Sequence, residues 1–98
     1  MNIKLLFIEN TNLNIKIKIF NINLKNDDIN KIQEIIINNY QNYEELVNNI
    51  IEINNKTNPD TIFIDKGYFE YVTEKLKEKI PNKINAKMIK NKENNLWE

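Results

Sequence analysis

Four residue types are missing from this 98-residue chain: cysteine, histidine, arginine and serine. Without cysteine and histidine there is no disulfide framework, no thiolate or imidazole zinc site, and no Cys–His or Ser–His nucleophile. Without arginine there is no planar fork for bidentate contact to a phosphate or a base edge. Glycine occurs once, at Gly67, which excludes the glycine-rich phosphate loops. The longest early apolar run, Leu5-Leu6-Phe7-Ile8, is too short for a signal-peptide core or a membrane span. The sequence therefore reads as a cytoplasmic protein with no membrane segment. Its chemistry falls to Asp, Glu, Lys, Tyr and Thr.

What is present is as biased as what is absent. Asparagine (21), isoleucine (19) and lysine (14) fill more than half the positions. Their codons are AT-rich, so the composition points to an AT-rich genome, such as that of a phage or mobile element. Asparagine-rich chains are often disordered, but 41% of this one is hydrophobic and those residues recur periodically, as in a folded domain. Fourteen lysines balance fourteen acids, for a net charge of zero. The length suits one domain, residues 1–98, with a core that needs no staples.

Residues 3–8 are nearly continuous apolar, as in a strand buried on both faces. After a polar turn, Leu13, Ile15, Ile17 and Ile19 alternate with Asn14, Lys16 and Lys18, the period of a half-solvated strand. At Phe20 the apolar parity flips to Phe20, Ile22 and Leu24, which implies a bulge or a new strand. Ile29, Ile32, Ile36 and Tyr40 then fall at helical spacing behind a cap at Asn26 or Asp27. Asn42 with Glu45 reads as a capping box for a second helix bearing Tyr43, Leu46, Val47, Ile50 and Ile53. That helix stops near Pro59, and Thr61–Asp65 is a short buried strand. Gly67 predicts a tight turn of positive φ. Phe69, Val72, Leu76 and Ile80 predict a helix ended by Pro81, and Ile84, Ala86 and Met88 a last strand. The fold class is α/β: a mixed sheet with an N-terminal β-hairpin followed by helix–strand–helix–strand. The long connection into residues 61–65 predicts a crossover that lays this strand parallel to residues 3–9.

Ligands of open α/β sheets bind beyond the carboxyl ends of parallel strands. Glu9 and Asp65 end the two strands in question, so parallel pairing brings them to one edge. Two close carboxylates repel, and a hard cation relieves this; oxygen-only donors suit Mg²⁺ or Mn²⁺. Glu70, on the next helix, is the candidate third acid. The plainer reading is that strand-end acids are solvated turn residues. Charge is also segregated: residues 75–92 hold seven lysines against Glu78 alone. Lys75, Lys79, Lys83, Lys87 and Lys90 are candidate phosphate contacts, and the plainer reading is a solvated helix face. Tyr68 and Tyr71 flank the glycine turn, where they stack a base or cover a sheet edge. Tyr43 fits a core stripe, and Trp97 a core lid or partner anchor.

The run Tyr43-Glu44-Glu45-Leu46-Val47, Asn58-Pro59-Asp60, Thr61-Ile62-Phe63-Ile64-Asp65-Lys66-Gly67-Tyr68-Phe69, with Val72 and Leu76, resembles the RNase H-like nucleases. It looks most like the nuclease domain of phage terminase large subunits, and somewhat like Holliday-junction resolvases. Leu5 to Phe20 resembles their opening hairpin, with Glu9 where the family usually has Asp. Asn91-Lys92-Glu93 with Leu96-Trp97 is faintly similar to a later terminase stretch. The resemblance implies an RNase H-like fold, and Glu9 and Asp65 as ligands of two Mg²⁺ ions that activate water at a phosphodiester. The chain departs from the family in its first acid, a Glu, and in lacking the later helix that carries a third acid.

Two functions follow. The first is a metal-dependent nuclease or its nucleic-acid-binding remnant, resting on Glu9, Asp65 and the lysines. The second is a small non-catalytic interaction protein with a protein partner, for example an inhibitor of a host or defence enzyme, resting on the absent catalytic types and the segregated charge. Compatible with either is a homodimer or assembly that uses the Leu13–Ile19 strand as an edge.

Overall fold

The computed structural model describes residues 2–10, 14–67 and 69–87. In chain order these form β1 (Asn2–Asn10), β2 (Ile15–Asn23), β3 (Asp28–Ile37), α1 (Tyr43–Thr57), β4 (Thr61–Asp65), α2 (Glu70–Lys79) and β5 (Ile84–Lys87). All five strands lie in one sheet, in the order β3-β2-β1-β4-β5. β1, β2 and β3 are an antiparallel meander, while β4 pairs parallel with β1 and β5 parallel with β4. Parallel neighbours need crossover connections, and α1 and α2 provide them.

Both helices pack on one face of the sheet. That face carries Leu6 and Ile8 of β1, Ile15, Ile17 and Ile19 of β2, and Ile62 and Ile64 of β4, all buried. Leu46, Val47 and Ile50 of α1 and Val72 and Leu76 of α2 close the same core. β1 is apolar on both sides because its other face is also packed. There Phe7 stacks on Phe63 at 4.8 Å and meets Phe20 edge-on at 5.5 Å.

Local chemistry sets the limits of α1. Asn42 Oδ1 accepts the Glu45 N–H at 2.8 Å, and Glu45 Oε2 accepts the Gln41 N–H at 3.0 Å. At the other end Asn58 takes a left-handed conformation, φ 48°, and its N–H donates to the Asn54 carbonyl at 2.8 Å. Replacing Asn42 by alanine is expected to cost about 1 kcal/mol of stability, read from the urea midpoint. An unchanged midpoint would show that the cap contributes nothing.

Several expectations are corrected. Residues 28–37 are a strand, not a helix. A turn with Asp27 at φ 58° folds the chain back so that Asp28 pairs with Asn23, and the β-branched isoleucines suit the ladder. Neither Asn26 nor Asp27 caps a helix; Asn26 Oδ1 instead accepts the Asp28 N–H at 3.3 Å. The parity flip at Phe20 coincides with a bulge, one of the two expected readings, and not with a new strand, since β2 pairs without interruption with β1. It marks a change in which face is apolar, and the bulge opposite it lies on β3, where Ile19 faces Gln33 but Phe20 faces Lys31. Gly67 does not have positive φ; its turn is closed by its own N–H donating to Asp65 Oδ1 at 2.9 Å.

Tyr43 is also corrected: it is 51% exposed, not core, and its ring lies 6.3 Å from Tyr40 and 6.2 Å from Tyr71. The strand beginning near Leu13 is not an edge either, since β2 is interior and β3 holds the edge. Leu13, Tyr68, Met88, Lys90, Lys92 and the stretch with Trp97 lie outside the described residues. Among the described residues no helix is long and apolar enough to cross a membrane.

Candidate functional site

β1 and β4 run the same way and end at one edge of the sheet. Ile8 pairs with Ile64, so Glu9 and Asp65, the next residues, are neighbours across the ladder. Alternation puts both on the face of Phe7 and Phe63, away from the helices. The parallel pairing of β1 and β4 expected from the crossover is present, and it makes Glu9 and Asp65 neighbouring strand-end residues.

Their surroundings differ. Glu9 lies across from Lys16, and its Oε2 sits 3.3 Å from the Nζ of Lys18, two residues further along β2 on the same face. Asp65 is 4% exposed. Its Oδ1 holds the Gly67 N–H, and its backbone carbonyl accepts the Phe69 N–H at 3.1 Å. The β4–α2 turn thus fixes the Asp65 carboxylate, while Glu9 is charge-paired.

Glu70 begins α2, which packs on the other face of the sheet. It borders a cavity of about 240 Å³ lined also by Tyr43, Gly67, Phe69, Tyr71 and Val72. No cluster of three or more acids able to hold a metal occurs among the described residues. Glu9 and Asp65 fit one hard divalent ion with water completing its shell; they do not make a full two-ion set.

The lysine stretch is spread over the molecule. Lys75 and Lys79 lie one turn apart on α2. Lys75 Nζ is 3.6 Å from Glu78 Oε2 and 5.7 Å from the centre of the Tyr71 ring. Lys83 sits at the far end of the sheet, where its Nζ donates to Asn54 Oδ1 at 3.2 Å and Asn58 Oδ1 at 2.9 Å. Lys87 ends β5 opposite Asp65. Lys16 and Lys18, beside Glu9, are the cations that sequence reasoning missed. Their alternation with Ile15, Ile17 and Ile19 showed a polar face, but not that Glu9 shares it.

No family model and no curated protein matches the chain. Solved structures do resemble it. The fowlpox virus Holliday junction resolvase superposes with a TM-score of 0.64 over 94% of this chain and 67% of its own, at 16% identity. A member of the Ppx/GppA protein family from Aquifex aeolicus superposes with a TM-score of 0.56, over 90% of this chain but 36% of its own, at 10% identity. Likeness at these identities is a likeness of fold. This chain has a mixed α/β fold of RNase H-like type, and the edge bearing Glu9 and Asp65 is where its parallel strands end.

Proposed function

We propose that this chain is a nucleic-acid-binding domain of nuclease type, with its site at the Glu9–Asp65 edge. The observation that carries the proposal is the parallel β1–β4 register, which makes Glu9 and Asp65 neighbouring residues at the strand ends. The fold likeness to a Holliday junction resolvase supports nucleic acid, branched DNA included, as the ligand. Lys16 and Lys18 supply positive charge beside the carboxylates. A bound Mg²⁺ or Mn²⁺ held by Glu9 and Asp65 would supply a Lewis acid and an activated water. The AT-biased composition is what favours an origin in a phage or mobile element.

Point-charge contacts from lysine release counterions and read no sequence. Binding to a labelled four-way junction, a duplex and a single strand, followed by anisotropy, is expected at roughly 50 mM salt and lost by roughly 200 mM. No binding to any of the three at low salt would sink the proposal. The alternative, a non-catalytic interaction protein, would then lead. It is favoured by the Lys18–Glu9 ion pair, which already neutralises one carboxylate.

A further inference from the structure

β3 is ten residues long and, among the described residues, pairs only with β2. Its outer side is a row of backbone groups open to another strand. Natural edges are commonly blunted by proline, short length, lysine, a bulge or inward-pointing charge. β3 has neither proline nor short length; it carries Lys31 and a bulge at Ile32, and it still exposes Ile29 (64%), Ile32 (52%) and Ile36 (48%).

The bulge gives this edge an unusual symmetry. Ile29 and Lys31 stand opposite Ile22 and Phe20, and Glu34 and Ile36 stand opposite Lys18 and Lys16. Those four β2 residues alternate onto one face, so Ile29, Lys31, Glu34 and Ile36 share that face too. In a regular strand residues 31 and 34 would point to opposite sides; the extra residue at Ile32 brings them together. Lys31 Nζ indeed lies 3.3 Å from Glu34 Oε1.

Rotating β3 by a half-turn about a point between Ile32 and Gln33 lays it antiparallel to itself. Ile29 then faces the Ile36 position of the copy, and Lys31 faces its Glu34. Each pair occurs twice, with like faces together and opposite charges opposed. Without the bulge this register would set side chains on opposite faces. We propose that the β3 edge is a homodimer interface, in which two copies join through antiparallel β3 strands into one ten-stranded sheet. The contact is isologous, so it closes at two copies. Cross-strand isoleucine pairs and opposed charges are the kinds of pair that stabilise antiparallel sheets.

Sedimentation equilibrium of the full chain should show its mass rise with concentration towards twice 11.8 kDa. Lys31→Glu and Glu34→Lys should each weaken the dimer about tenfold, since each sets like charges opposite at two symmetric places. The double variant, K31E with E34K, should recover wild-type association. Because the chain has no cysteine, I29C combined with I36C should give a disulfide-linked dimer under mild oxidation, and I29C alone should not. A chain that stays monomeric, a dimer indifferent to both reversals, or open-ended filaments from β3 pairing with another edge would each overturn the proposal.

Discussion

Leu6→Ala is expected to lower the unfolding free energy by about 2–5 kcal/mol, whereas Leu5→Ala should cost less than half as much. The two leucines are consecutive, chemically identical and on opposite faces of β1. Leu6 is fully buried, between Ile19 and Ile62 on the neighbouring strands and beneath the helices. Leu5 lies among Phe20 and Thr61 on the face without helices and is only partly buried. Truncating Leu6 opens a cavity that the enclosed core cannot refill, while the Leu5 site can relax. Domains of this size hold only about 5–15 kcal/mol in total, so the Leu6 variant would lose a large share of its stability. Urea unfolding with a common slope measures both. Equal losses would mean that the two faces are equally enclosed, and the two-layer account would fail.

Removing the Lys18 ammonium, as in Lys18→Ala, is expected to raise the affinity for Mn²⁺ about tenfold. Lys18 Nζ stands 3.3 Å from the Glu9 carboxylate, where it repels any arriving cation and offsets the charge that would hold it. Its removal leaves the Glu9 carboxylate without its 3.3 Å ion-pair partner, a change that favours a bound divalent cation. Calorimetric titration reads the affinity directly. Mass action gives a second readout, because millimolar Mn²⁺ should raise the melting temperature of Lys18→Ala more than that of the parent. Asp65→Asn should abolish the rise in both backgrounds; its amide can still accept the Gly67 N–H, so the fold should survive. If Mn²⁺ stabilises neither parent nor variant, Glu9 and Asp65 are not an ion site.

Which of these features could be read from residues alone follows from their physics. The limits of α1 were legible because caps and breakers act over three or four residues: Asn42 with Glu45 at one end, Pro59 at the other. The Thr61–Asp65 strand and the helix before Pro81 were legible for the same reason. So was the parallel pairing of β1 and β4, since a long crossover leaves few places for the returning strand.

Tertiary structure alone decided β3. Ile29, Ile32, Ile36 and Tyr40 satisfy a helical period as well as a bulged strand, and local preference cannot separate the two. Pairing with β2 settles it, through a backbone ladder that a helix at this place would leave unmade on β2. The neighbour of Glu9 was hidden for a related reason. Alternation fixes which residues of one strand share a face, but only the register between strands says which residues on the next strand they meet. Lys18 therefore becomes the partner of Glu9, and Lys31 and Glu34 come to share an edge, only once three strands are aligned. Chemistry within a few residues set α1 with its N-cap, the α2 helix and the two acids at the strand ends. The sheet order, the bulge and the charge surrounding the acids were decided by contacts between segments far apart in the chain.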